Sequence, residues 1–126
     1  MDERNQAVIA RYWPAFDAHD GETMRELAHD DLVTEWPQSG ERIHGKENCV
    51  TILRNYPGGG PTRSERRTLG SGNLWVTESL LHYPNGRSSH FVSIVELRDG
   101  KIARLTEYFA DPFEPPPWRV ELVDSM

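Results

Sequence analysis

Two short turn signals constrain this chain more than any other feature. Pro84-Asn85-Gly86 and Asp99-Gly100 each separate long runs rich in β-branched and aromatic residues. Asn-Gly and Asp-Gly pairs supply the positive φ angles that a tight hairpin turn needs. The runs Asn73–Tyr83, Arg87–Arg98 and Lys101–Phe109 therefore read as three consecutive antiparallel strands, preceded by a fourth, Arg63–Leu69.

The first half of the chain carries a different period. Ile9, Tyr12, Trp13 and Phe16 fall at i, i+3, i+4 and i+7, the spacing of one buried helical stripe. Asp2 can cap this helix and Asp20-Gly21 can end it, while Pro14 removes the bond to the Ala10 carbonyl and predicts a bend. Asp20 can also cap a short second helix with Met24, Leu27 and Ala28 on its apolar face. Leu32 to Trp36 alternates as a strand that Pro37 closes. A third helix starts near Gly45-Lys46-Glu47, repeats the stripe at Cys49, Ile52, Leu53 and Tyr56, and stops at Pro57-Gly58-Gly59-Gly60-Pro61.

Helices grouped early and strands grouped late predict an α+β fold rather than a parallel α/β one. At 126 residues there is room for a single domain, residues 1–126, with a Pro-rich tail over about 111–126. That tail is expected to be extended, with Phe113 and Trp118 packing back on the body.

Composition narrows the partners. A net charge of −6 disfavours nucleic acid, and the short basic run Arg63, Arg66 and Arg67 reads as a solvated strand face. With Cys49 as the one cysteine, no internal disulfide can form. The polar start MDERNQ does not look like a signal peptide, and no apolar run approaches a membrane span. A cytoplasmic location with no membrane partner is expected. The five histidines show no HxH or HExxH spacing, so no metal and no cofactor is expected. His82 and His90 could approach each other across the hairpin on the outer face.

Three segments carry a resemblance: ARYWPAFDAHDGETMREL at 10–27, the stretch from Asp31 through His44-Gly45-Lys46-Glu47, and ELRDGKIARLTEYF at 96–109. In order and spacing the chain resembles the nuclear transport factor 2-like superfamily, and within it the SnoaL-like, polyketide cyclase-like proteins. The resemblance implies a cone: a curved mixed or antiparallel sheet against three N-terminal helices, the cystatin-like α+β barrel, with a pocket at the wide end. Members include polyketide cyclases, a ketosteroid isomerase, an epoxide hydrolase, a dehydratase and many proteins without known activity, so fold does not settle function.

The family's catalytic patterns transfer incompletely. The isomerase tyrosine matches Tyr12, but its base falls on Trp36 and its protonated aspartic acid near Ser93. The epoxide hydrolase's arginine and aspartate fall on Ser79 and Leu81, and its last aspartate matches Glu107. The resemblance also turns Leu32, Thr34 and Trp36 inward, with Trp75, Thr77, Ser79, Leu81 and Tyr83, and with Ser89, Phe91, Ser93, Val95 and Leu97. For Glu107 the turn decides. A two-residue loop at Asp99-Gly100 would pair it with Val92 on the outer face. A three-residue loop would pair it with Phe91, inside, as the resemblance favours.

These residues predict a small, largely apolar ligand held by Phe16, Trp36, Trp75, Ser79, Phe91 and Ser93. Glu107 would be a general acid or base and Tyr12 an oxyanion donor, in isomerase, cyclase or dehydratase chemistry. Tyr12 also reads as an ordinary core tyrosine, and Glu107 as a structural hydrogen-bonder held by Tyr12, a Trp indole or Arg104. The alternative is a non-catalytic, dimeric ligand-binding or interaction module. The outer sheet face, with Leu74, Val76, Leu80, Val92 and Ile94, needs a cover. A second subunit, as in other family members, or the C-terminal tail would supply it.

Overall fold

A computed structural model describes residues 2–126. The elements run α1 (Asp2–Asp17), α2 (Gly21–Leu27), β1 (Ala28–Trp36), β2 (Glu41–His44), α3 (Lys46–Arg54), β3 (Thr62–Ser71), β4 (Leu74–His82), β5 (Ser88–Arg98) and β6 (Lys101–Ala110). A 3₁₀ turn, Pro117–Leu122, follows. The six strands form one sheet in the order β2-β1-β6-β5-β4-β3. All pairings are antiparallel except β1 with β6, which is parallel. The sheet is therefore mixed, and it does not close, since β2 and β3 remain edges. The expected barrel is an open, bent sheet whose concave face the helices cover: α1 meets β3 and β6, and α3 meets β1 and β2. Irregularities in β1, β3 and β6 supply local bends.

The helical stripe of α1 is buried as expected at Ile9, Tyr12 and Trp13, with Phe16 packed against the core. Pro14 lies inside α1 without ending it; the helix continues to Asp17. Asp2 does not cap. Its carboxylate instead accepts the Gly72 amide at 2.6 Å, while Asn5 donates to Gly72 O and Asn73 Oδ1, pinning the start of α1 to the β3–β4 turn. Asp20 does cap α2, accepting the Thr23 amide at 3.2 Å and the Thr23 hydroxyl at 2.6 Å. Ala28, expected at the end of α2, opens β1. The short edge strand β2 was not expected; only Ile43 of its four residues is buried, too little alternation to signal a strand.

The β5–β6 hairpin differs from both expected registers. Arg98 faces Lys101 and Leu97 faces Ile102, so the turn has two residues, with Asp99 and Gly100 both at positive φ (53° and 76°). A bulge then intervenes: Glu96 faces Arg104, and Ala103 is the extra residue. Beyond it Ser93 faces Glu107 and both turn inward. Ile102 and Leu105 are both buried although three residues apart, which a regular strand cannot achieve. The cost of exposing one of them favours the bulge.

The outer face remains uncovered. Leu69, Leu74 and Val76 are 58%, 54% and 37% exposed, and Leu80, Val92 and Ile94 are half-buried. The tail does not cover it, because Phe113 and Trp118 stay 79% and 75% exposed, contrary to expectation. His82 and His90 do lie exposed on this face, but His82 faces Ser88 and His90 faces Leu80, one diagonal step apart. His82 is instead hydrogen-bonded to the Ser64 hydroxyl at 2.7 Å.

Candidate active site

The concave face encloses a cavity of about 250 Å³. Its walls come from every layer: Tyr12 and Phe16 from α1, Trp36 from β1, Phe91 from β5, and Leu105, Glu107 and Phe109 from β6. Cys49, Ile52 and Leu53 of α3 also line it, as does Tyr56, which lies two residues beyond the end of α3 rather than on it as the stripe predicted. This explains why Ile52 and Tyr56 are each 38% exposed although they continue an apolar stripe: they face the open cavity, not packed core. The aromatic wall is continuous. Trp36 meets Phe109 edge-on at 5.8 Å between centroids, Phe109 meets Phe91 at 5.2 Å, and Phe91 stacks on Phe16 at 6.4 Å.

Glu107 is the acid of this wall and is 7% exposed. The Trp36 indole N–H donates to Oε1 and the Ser93 hydroxyl to Oε2, each at 3.1 Å. Burial raises the Glu107 pKa above the ordinary carboxylate value, and the two hydrogen bonds only partly oppose it. Both donors are neutral, so nothing in contact compensates a full negative charge. Arg104, one expected partner, lies outside and pairs with Glu35 and Glu96.

Tyr12 sits 3% exposed beside Cys49. Burial pushes its phenol well above the usual range, and the charges of Cys49 and Glu107 act in the same direction. It is therefore a neutral O–H donor at working pH. The Cys49 thiol is pushed up to about 11, mainly by burial, and the Thr34 hydroxyl lies 3.9 Å from its sulfur. A thiol so rarely ionised is a poor nucleophile.

Three expected ligand contacts are displaced. Trp75 is 4% exposed in the core away from the cavity, its indole N–H held by Gly72 O at 3.0 Å. Ser79 accepts a hydrogen bond from Arg63 Nη1 at 2.7 Å, and Ser93 serves Glu107; neither lines the cavity. Arg63 is itself a correction. Its side chain is 3% exposed rather than solvated, with the guanidinium 4.6 Å over the Trp13 ring and Nε 3.4 Å from Asp17 Oδ1. An arginine on an edge strand carries no sequence mark of such burial. Of the wall residues sequence reasoning passed over, Tyr83, Arg87 and Phe109 matter most, because they carry polarity and aromatic area. Tyr83 had a signal, having been assigned to the inward set.

No group of three or more His, Cys, Asp or Glu residues among the described residues could hold a metal ion. No described helix is long and apolar enough to cross a membrane.

Comparison with known proteins fits this geometry. The family profile described as SnoaL-like domain matches residues 9–105. A crystal structure of an NTF-2 like protein of unknown function from Burkholderia xenovorans LB400 is 40% identical, covers 98% of this chain and 96% of its own, and has a TM-score of 0.88. A candidate ketosteroid isomerase from Kribbella flavida DSM 17836 is 26% identical over 99% of this chain and 91% of its own, with a TM-score of 0.89. An LEH-like epoxide hydrolase of M. tuberculosis shares the fold at 24% identity, covering 86% of this chain and 84% of its own, with a TM-score of 0.73. No curated protein matches the chain.

Proposed function

Because the chain belongs to the SnoaL-like domain family, we propose that its cavity binds a small, largely apolar molecule and that Glu107 performs acid/base chemistry on it. The observation that carries this reading is the buried carboxyl of Glu107 in an apolar, aromatic wall, held by two neutral donors and no cation. A purely structural carboxyl gains little there, since an amide could accept from the Trp36 indole and donate to a rotated Ser93 hydroxyl without the cost of burying a charge. Both oxygens can accept from Trp36 and Ser93 while the protonated acid still has one O–H to give a ligand.

The chemistry that follows is proton transfer next to a carbonyl, of isomerase, cyclase or dehydratase type. In the isomerase form the Glu107 carboxylate takes a proton from the carbon beside the carbonyl, and the Tyr12 O–H stabilises the enolate oxygen. Where the substrate carries a neighbouring C=C, the enolate is a dienolate, and the resulting neutral acid returns the proton to its far carbon, shifting the double bond into conjugation. The step needs no cofactor and uses the raised pKa, because a carboxyl whose proton affinity is increased by burial takes a proton more readily than an ordinary carboxylate and, once neutral, can return it. Similarity to the candidate isomerase of Kribbella flavida supports the class, not the substrate. A cytoplasmic setting suits the free Cys49.

A thermal-shift screen of small ketones, lactones and epoxides tests the ligand. A compound seated in the cavity is expected to raise Tm by several degrees at saturation. Loss of that rise in Leu81→Trp, which would project an indole into the cavity wall, locates it there. A screen in which no such compound stabilises the protein would overturn the reading.

The uncovered outer face favours a dimer, whether or not the pocket is catalytic. We infer that a second copy packs against Leu74, Val76 and Ile94. Val76→Arg is expected to convert a dimer into a folded monomer in sedimentation velocity, and a wild-type monomer at high concentration would exclude it.

A further inference from the structure

The cavity wall carries two ionisable side chains that differ in kind from the rest: the acid Glu107 and one cation, Arg87. Arg87 was not anticipated as a site residue, and acid/base chemistry at Glu107 makes no use of it. Arg87 lies at the open end of the cavity. It is exposed, as are Tyr56 and the loop residues Pro57, Gly58, Gly59, Pro84 and Asn85, which with Tyr83 line a smaller recess of about 60 Å³ sharing Arg87. Glu107 lies six positions of β5 away in register, opposite Ser93, or roughly 20 Å of extended strand. The cavity is thus polar at both ends and apolar between them.

The Arg87 head group is held in place. Its backbone is fixed by Tyr83 N donating to Arg87 O at 2.9 Å and by the Arg87 amide donating to Asn85 Oδ1 at 2.9 Å. Its guanidinium carbon sits 4.8 Å from the centroid of the Tyr83 ring, which is itself packed on Tyr56 at 5.7 Å. Stacking on an aromatic face occupies the plane of a guanidinium and leaves its in-plane N–H donors available. Among the described residues Arg87 has no carboxylate within 4 Å; Arg4, Arg54, Arg66, Lys101 and Arg119 share that lack, but none of them lines the cavity. An arginine oriented by its own turn and its own aromatic shelf, on the wall of a cavity and without a counter-ion, is arranged to receive one.

We propose that Arg87 is the anion subsite of this cavity, so that its ligand is an apolar body, of one or two rings, bearing a carboxylate or a comparably acidic oxygen at the end nearest the opening. The inference rests on the ligand-binding reading above and deepens it. A cavity of about 250 Å³ falls just below the roughly 300–1,000 Å³ usual for small-molecule sites, which sets the ring count. The polarity sets the direction of entry: the anionic end stays with Arg87 near water, and the apolar end runs inward toward Trp36 and Glu107. This direction also keeps the ligand's charge away from the buried carboxyl. The whole chain carries −6, so an anion gains nothing from long-range attraction, and preference for an acid must come from Arg87 itself.

Calorimetric titration with a matched pair of probes tests this. 2-Naphthoate and 2-acetylnaphthalene have the same ring system and nearly the same size, but one is an anion at pH 6.5 and the other is neutral. Wild type is expected to bind naphthoate about tenfold more tightly than the ketone, as a charge-assisted guanidinium contact implies. Arg87→Gln is expected to weaken naphthoate about tenfold while changing the ketone by less than about twofold, and Arg87→Lys to keep part of the preference. Because Arg87 is exposed on a turn, both variants should retain the wild-type Tm. Equal loss of both probes in Arg87→Gln, or ketone binding as tight as naphthoate in wild type, would overturn the anion subsite and leave the ligand-binding cavity standing. Failure of wild type to bind either probe would overturn both.

Discussion

Glu107→Gln is expected to lower turnover by about two to four orders of magnitude, the usual contribution of a positioned general acid or base. The fold should survive, because the amide oxygen can still accept from the Trp36 indole while its NH2 donates to the Ser93 hydroxyl, which can rotate to accept. The pH dependence separates this from a structural effect. Burial raises the folded-state pKa of Glu107 above its ordinary value of 4.5, so the native state holds the proton where the unfolded chain has lost it. The stability linked to that proton is complete below the unfolded value and is lost as pH rises through the folded one. Denaturant midpoints of wild type should therefore fall across that window relative to those of Glu107→Gln. The raised Tyr12 and Cys49 groups act in the alkaline range, where the thiol is displaced from 9.0 to about 11; burial is the largest cause for both and persists in Glu107→Gln, which removes only the contribution of the Glu107 charge. Turnover that needs the carboxylate should rise with pH over the same window. Equal turnover in the two proteins would remove Glu107 from the chemistry.

Trp13→Ala is expected to be the most destabilising single change, by about 3–5 kcal/mol, a large share of the roughly 5–15 kcal/mol typical of a domain. Trp13 is 2% exposed and packs edge-on against Tyr12, Phe16 and Phe91 at 5.1, 5.7 and 5.9 Å. Its indole N–H donates to the buried Thr77 hydroxyl at 2.9 Å. It also provides the ring beneath the buried Arg63 guanidinium, so truncation both empties the core and strips an enclosed cation of one face. Trp13→Phe keeps much of the ring area but loses the hydrogen bond, and should cost less. Urea denaturation of the three proteins checks the order. Since Phe16 and Phe91 line the cavity, ligand affinity should weaken along the same series.

These two residues show how unevenly the sequence reports the structure. Trp13 was legible as part of a 3.6-residue stripe, because a helix must bury whatever recurs on one face. Its special weight was not, since that comes from Thr77 and Arg63, 64 and 50 positions away along the chain. Alternation divided β4 and β5 into two faces and the family resemblance chose the inward one; Phe91, Ser93, Ser79 and Trp75 are all buried. Alternation distinguishes the two faces of a strand, but not a core wall from a cavity wall. Trp75 and Ser79 therefore share a face with Phe91 while lying outside the cavity that Phe91 lines.

Glu107 shows the division most clearly. Its strand, its turn and its place in a family motif were determined by residues close in sequence. Its orientation depended on a one-residue parity that the two-residue turn, taken alone, sets the wrong way. The bulge at Ala103 restores it, because Ile102 and Leu105 both find buried places across the sheet. Local sequence by itself determined every α-helix and strand but the short strand β2, their order and the apolar stripes, since hydrophobic period and turn chemistry act over a few residues. Tertiary structure alone decided register, the position of the void and the orphaned charge of Arg87. Those depend on which distant surfaces compete to be buried, and a local pattern contains no record of that competition.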